Sequence, residues 1–320
     1  MLTIRSVASI FSVAMMALGA GLVAGQDYPS KPIRISTVQT GGGTDFIARL
    51  IANGISGPLG QPVIVENRPT LIAIETGIKA PPDGYTILVA GGTLWTGPLL
   101  QSKPLYDPVT DLAPITIVVS APNVIVVHPS LPVKSVKELI ALAKARPGEL
   151  NYAQGSVGGS THIAAELFKS MAGVSVVGIP YKGSGGSMGG LLGGEVQVGF
   201  ENTIAVTPYM KSGRIRALAV TSPQPSVLTP GIPTVSASGL PGYESGSQQG
   251  VVAPAKTPAA IIRRLNQEIV RVFNMPDIKQ KVFDTGSEPV ANSPEEMAAK
   301  IKSDLARIGK VIKDAGIPKL

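Results

Sequence analysis

Short runs of β-branched residues alternate with amphipathic stretches of helical period along most of this chain, and that order narrows the possible architectures more than any other feature. Strand-like runs stand at Ile33 to Val38, Pro62 to Glu66, Tyr85 to Ala90, Ile115 to Val119, Val124 to His128, Leu150 to Ala153, Val196 to Phe200, Ile215 to Val220 and Gly250 to Ala253. Between them, Phe46, Ile47, Leu50, Ile51 and Ile55 make one apolar stripe spaced by three and four, and Val136, Leu139, Ile140 and Ala143 make another. A chain built in this order folds as α/β layers, with largely parallel sheets expected. Beyond Pro254 the pattern is nearly all helical. Pro258 marks one helix start, and Ser293 with Glu296 forms a capping box with Pro294 at the first helical position. The final helix is expected from about Glu295 to Ala315, ended by Gly316 and Pro318. At 320 residues two domains are more natural than one. Ser120-Ala121-Pro122 and the Pro- and Ser-rich stretch from Ser222 to Pro233 suit two crossings between them, and no internal repeat of fixed period is present.

The N-terminus reads as an export signal. Arg5 precedes an apolar and small-residue stretch from Val7 to Ala24, after which polarity returns at Gln26 and Asp27, and Ala24 and Gly25 fit a peptidase site. The other reading is a retained membrane anchor, which needs roughly 20 strongly apolar residues where this stretch is rich in Gly and Ala. Cysteine is absent, which removes a lipoprotein anchor, disulfides, thiolate nucleophiles and cysteine metal sites together. The net charge is +7, and it falls by one when Arg5 leaves with the signal. Nucleic acid is a poor match for that charge, because the basic residues are dispersed, with only Arg263-Arg264 adjacent, and aromatics make up 4% of the chain. A small anion is a better one, since an excess of positive charge raises its rate of encounter.

The informative local chemistry lies where strands run into helices. Gly41-Gly42-Gly43-Thr44-Asp45 sits between the first strand and the first amphipathic helix. Glycines let a ligand approach the backbone, and the first-turn amides of a helix point outward with about half a positive charge, which suits a carboxylate. Thr44 and Asp45 read equally well as helix caps. Gly155-Ser156-Val157-Gly158-Gly159-Ser160-Thr161 repeats the chemistry ahead of a helix from His162 to Met171, so the two junctions are expected to face a shared cleft at the C-terminal ends of strands. Enzyme readings fare worse. Gly185-Gly186-Ser187-Met188-Gly189 matches the G-x-S-x-G elbow of hydrolases, yet both histidines, His128 and His162, precede Ser187, against the chain order of that fold. His162 and Glu166, four apart, read as a helix-surface pair and not as a zinc site, because no cysteine and only one other histidine exist to complete it. No P-loop and no G-x-G-x-x-G after a strand is present, so no cofactor is expected.

Tyr28-Pro29-Ser30-Lys31-Pro32-Ile33-Arg34, Gly41 to Asp45, Leu59 to Pro69, Pro82-Asp83-Gly84-Tyr85-Thr86, Leu150 to Ala153, Thr161 to Phe168, Pro180-Tyr181-Lys182-Gly183 and Arg216 to Ser222 together resemble the receptors of tripartite tricarboxylate transporters, the Bug family. The resemblance implies a type 2 periplasmic-binding-protein fold, with lobe one at 26–121 plus 223–320 and lobe two at 122–222 after a signal peptide at 1–25. It implies a periplasmic, monomeric solute receptor and no enzyme, which closes on a small organic carboxylate and delivers it to integral-membrane transporter subunits. A sensor delivering to a membrane kinase, and a serine hydrolase, stand as the alternatives. By this likeness the ligand is held at Gly41, Gly42, Gly43, Thr44 and Asp45 and at Ser156, Gly158, Gly159, Ser160 and Thr161, with Tyr181, Lys182, Glu201 and Asn202 lining the cleft. Three departures bear on the ligand. Glu201 stands where the family commonly has aspartate, Thr37-Val38-Gln39-Thr40 replaces a Val-Pro-Phe-like stretch, and Thr70-Leu71-Ile72-Ala73-Ile74-Glu75 replaces a glycine-rich segment. Expressed in a Gram-negative host, the exported protein should start within a few residues of Ala24 and Gly25 by N-terminal sequencing, and an intact Met1 would instead identify an anchor.

Overall fold

The computed structural model describes residues 28–319 apart from Gln39, Ser156 and Lys182, so the expected signal peptide lies outside the described residues. Two sheets organise the chain. The first contains β1 (Ile33–Thr37), β2 (Val63–Asn67), β3 (Thr86–Gly91), β4 (Leu112–Ala121), β10 (Ser247–Pro254) and β11 (Glu288–Pro289), in the order β11-β4-β10-β3-β1-β2. The second contains β5 (Asn123–Val127), β6 (Asn151–Gln154), β7 (Val177–Pro180), β8 (Val198–Asn202) and β9 (Arg216–Val220), in the order β7-β6-β8-β5-β9.

Period-two alternation makes β3, β4 and β10 of the first sheet serve two cores. Ile87 and Val89 face α1 (Gly43–Leu59) and α8 (Ala259–Phe273), where Ile47, Ile51, Ile55, Leu265, Ile269 and Val272 are buried together with Ile278 and Val282 of α9 (Pro276–Phe283). Leu88 and Ala90 face the opposite layer, with Ala73 of α2 (Thr70–Lys79), Trp95 of the short α3 (Thr93–Thr96) and Met297 and Ile301 of α10 (Pro294–Asp314). The second sheet repeats the scheme. Ile125 and Phe200 pack under α4 (Val136–Ala145) and α5 (Ser160–Ala172), and Val124 and Val126 pack under α6 (Gly183–Leu192) and α7 (Thr203–Lys211). The capping box at Ser293 and Glu296 forms as expected, with both of its hydrogen bonds present.

The sheets are mixed, not largely parallel. β1 pairs in parallel with β2 and β3, and β6 with β7 and β8, but β10 runs against β3 and β4, and β5 runs against β8 and β9. The cause is the crossing between lobes. β4 ends at Ala121 and β5 starts at Asn123, so β5 begins at the hinge edge of its sheet, and β10 begins at Ser247 on the hinge edge of the first sheet. A strand that starts at that edge must run against neighbours that end there. The same topology carries the C-terminal ends of β1, β2 and β3 to the hinge edge of one sheet and those of β6, β7 and β8 to the hinge edge of the other.

The second crossing differs from the one expected at Ser222 to Pro233. Val235, Leu240 and Tyr243 are buried in the core beneath the second sheet, and the Tyr243 hydroxyl donates to the Ala164 carbonyl at 2.7 Å, so the chain leaves that lobe only at 244–246. The proline- and serine-rich stretch is instead a loop whose Ser226 hydroxyl and Val227 N–H donate to Glu288 beside β4. α10 bridges the lobes, packing Met297 and Ile301 into the first and Val311 into the second.

α1 and α8 pack closely at Gly54, where a Cβ would meet the buried Val272 side chain at 2.5 Å. Alanine is the better helix former by about 1 kcal/mol, but overpacking typically costs about 1–3 kcal/mol. Gly54→Ala should therefore lower the urea midpoint, where propensity alone would raise it.

Candidate functional site

In the first lobe the chain leaves β1 and turns through Gly41, at φ +85°, into Gly42, which is extended (φ −86°, ψ 169°) and precedes the first residue of α1. No side chain caps this helix at Gly42. The first amides of α1 have no carbonyl within the helix to bond, so they are available at the hinge edge. Asp45, 3% exposed, is turned inward. It accepts the Gly41 N–H at 2.9 Å, Arg49 Nε at 3.1 Å and Asn67 Nδ2 at 2.8 Å, and the same Asn67 amide reaches the Val38 carbonyl at 2.8 Å. Burial by itself would raise the Asp45 pKa, but the Gly41, Asn67 and Arg49 hydrogen bonds together with the Arg49 charge outweigh it and hold the carboxyl below its ordinary value. Asp45 therefore shapes the loop from behind.

The second lobe builds its junction the same way. Gly158 has φ +77°, Gly159 is extended (φ −68°, ψ 162°) and uncapped by a side chain, and α5 begins at Ser160. The Gly158 N–H donates to His162 Nδ1 at 3.1 Å. That bond requires an unprotonated Nδ1, and burial lowers the His162 pKa, with Lys169 acting in the same direction and Glu166 against it. His162 and Glu166 are 5% and 7% exposed, so they are not the surface pair expected from their spacing. Glu166 accepts from the Tyr152 hydroxyl and from Lys169 Nζ, each at 2.8 Å and both on Oε1. Among the described residues no cluster of metal-ligating groups occurs.

A cavity of about 190 Å³ lies between the lobes against the crossings. Gly158 and Ser160 form its wall on one side, and Gly91, Gly92 and Thr93 face them from the end of β3. Glu244, Lys300, Asp304 and Arg307 close its far side in an ion-pair network, with Lys300 Nζ 2.7 Å from Glu244 and 2.6 Å from Asp304, and Arg307 Nη2 2.6 Å from Asp304. Gly41 to Asp45 stand on the same hinge edge of the first sheet, outside that cavity. Gly91-Gly92-Thr93 went unnoticed in the sequence, although it is a third glycine-rich junction following a strand; its helix has only four residues.

The remaining expected residues divide. Ser156 and Lys182 lie outside the described residues. Tyr181 directly follows β7 at the hinge edge, but its hydroxyl donates to Glu195 at 2.9 Å and its ring rests against Gly186 and Gly190 of α6. Asn202 is the N-cap residue of α7, half-buried, with no side-chain cap bond. Its cross-strand neighbour Asn123, which sequence reasoning missed, is fully buried, and neither end of its amide has a partner among the described residues. Gln249 Oε1, beneath the α1 loop, is likewise unpaired. Unpaired buried amides at a cleft floor are groups that water or a ligand satisfies. Ser187, proposed as a hydrolase nucleophile, lies within α6, 3% exposed and hydrogen-bonded to Glu201; a nucleophile elbow needs a sharp turn from strand to helix that exposes the serine.

The profile of the tripartite tricarboxylate transporter family receptors matches residues 47–317. Protein BugT of Bordetella pertussis is 35% identical over 303 residues, covering 93% of each chain. Among solved structures, Rpa4515 of R. palustris with adipate shares 36% identity at a TM-score of 0.70, covering 92% of this chain and all of that one. An unliganded TctC solute-binding protein from Polaromonas shares 26% identity at a TM-score of 0.83, covering 90% and 99%.

Burial pushes the Glu201 carboxyl up to about 7, and the Ser187 hydrogen bond only partly offsets this. A folded-state pKa above the unfolded one gives stability that is present at low pH and lost as pH rises through the folded value. Relative to Glu201→Gln, the wild-type protein should lose stability between pH 5 and pH 9, by an amount of order 3 kcal/mol. Parallel urea midpoints for the two proteins across that range would refute the shift.

Proposed function

The chain belongs to the family of tripartite tricarboxylate transporter receptors, and from that premise we propose that it is a periplasmic, monomeric receptor that closes its two lobes on a small organic carboxylate and presents it to membrane transporter subunits. One observation carries the reading: two uncapped, glycine-led helix N-termini, at Gly42 and Gly159, stand on the facing hinge edges of opposite sheets. Each offers backbone amides and the positive end of a helix dipole to an anion. No covalent step is needed, and the buried, helix-bound Ser187 offers none.

The lobes stand open in this reading. The chain superposes better on the unliganded relative, at a TM-score of 0.83, than on the adipate complex, at 0.70, although its identity to the latter is higher. Between two-lobed proteins of one family, a change in the angle between lobes lowers whole-chain superposition while leaving each lobe intact. Opening also accounts for the separation of the Gly41 loop from the cavity that holds Gly158 and Ser160. Closure follows from differential contact, since only the closed state lets both junctions touch one ligand.

The lips of the cleft indicate the ligand's shape. Leu71 and Ile72 begin α2 at the hinge edge and are 58% and 46% exposed, and Val157 in the opposite loop is 46% exposed. Side chains in a helix lean toward its N-terminus, which here is the cleft side. Such lips favour a carboxylate with a hydrocarbon body over a compact, highly charged one. In a thermal-shift screen of mono-, di- and tricarboxylates, adipate should stabilise the protein more than citrate does, and any true ligand at about 100 times its Kd should add about 2.7 kcal/mol. Absence of stabilisation by every carboxylate would refute the proposal.

A further inference from the structure

The two binding junctions are built on one five-residue plan that their sequences only half reveal. Gly41-Gly42-Gly43-Thr44-Asp45 and Gly158-Gly159-Ser160-Thr161-His162 superimpose position by position in conformation: a left-handed glycine (φ +85° and +77°), an extended glycine preceding the helix, and then the first helical turn. In each, the N–H of the left-handed glycine donates to the side chain four residues ahead, to Asp45 Oδ2 at 2.9 Å and to His162 Nδ1 at 3.1 Å. Both acceptors are nearly fully buried, at 3% and 5% exposed. The N–H they take is one that the turn would otherwise leave unbonded. Occupying it pins the glycine where only glycine is at ease and aims the next amides away from the acceptor, toward the cleft edge.

We propose that Asp45 and His162 are paired positioning residues, each the internal acceptor that holds its lobe's glycine loop in the binding conformation. This rests on the receptor reading above, and it assigns His162, an apparent metal or catalytic candidate, a role in which it touches no ligand. The residue types differ because their surroundings differ. Asp45 has Arg49 and Asn67 to satisfy a charged acceptor, whereas beside His162 the Tyr152 hydroxyl and Lys169 Nζ are already engaged by Glu166 Oε1, and a neutral acceptor fits there.

The test compares His162→Asn, whose Oδ1 stands the same number of bonds from Cβ as Nδ1, with His162→Leu, which has no acceptor. Amide hydrogen exchange of the unliganded protein reads the loop directly. The Gly158 N–H should exchange about tenfold or more faster in the leucine variant and near the wild-type rate in the asparagine variant, while Gly41 stays unchanged in both. Equal Gly158 protection in all three proteins, or equal loss in both variants, would overturn the proposal. Should the leucine variant not fold, His162→Ala, which likewise carries no acceptor, supplies the same contrast. Stabilisation by adipate, measured in parallel, should fall in the leucine variant and return with asparagine. A wild-type protein blind to adipate would count against the ligand class alone and leave the exchange rates to decide the role of His162.

Discussion

An α-helix cannot satisfy its own first amides, and two helices of this protein present that deficit where the chain brings its lobes together. Most of the architecture serves to place those ends. β1 and β6 each deliver a glycine loop to the hinge edge of a sheet, and α1 and α5 each carry the dipole away from it. A serine or threonine at the cap would have satisfied one amide internally, whereas glycine leaves them all free and lets a ligand reach the backbone. The deficit is thus retained at both junctions, and on the receptor reading proposed above it is what an arriving anion satisfies.

Keeping such a loop ordered without filling it requires support from behind, and each lobe supplies it with a buried acceptor. In the first lobe the support is a network in which Asp45, Asn67 and Arg49 tie the α1 loop to β2 and to the Val38 carbonyl. The second lobe uses a single neutral imidazole. These are hydrogen bonds to groups that would otherwise be buried and unpaired, so their loss costs more than their formation gains.

The hinge is constrained by more than its two crossings. α10 is anchored by Met297 and Ile301 in one core and by Val311 in the other, and between these anchors Asp304 accepts from Trp95 Nε1 at 3.3 Å and pairs with Lys300 and Arg307. Arg307 and Lys300 also meet Glu244, at the point where the chain crosses back to the first lobe. Lobe motion must therefore bend or slide this helix against a charged patch whose partners come from both lobes.

Features set by neighbours in the chain were legible without coordinates. Alternating apolar runs marked nine of the strands, Ser293 and Glu296 announced their capping box, and the glycine runs after β1 and β6 announced the uncapped turns into α1 and α5, because each depends on residues within a turn or a strand of one another. Tertiary structure alone decided what depends on distant pairing. It reversed β10 and β5, because a strand that starts at the hinge must oppose strands that end there. It kept residues 235–243 in the second lobe through the burial of Val235, Leu240 and Tyr243. It also turned His162 and Glu166 inward, set Ser187 in mid-helix and put Gly91-Gly92-Thr93 opposite Gly158. Periodicity records which face of an element is apolar; which elements meet across that face is fixed only when the cores close.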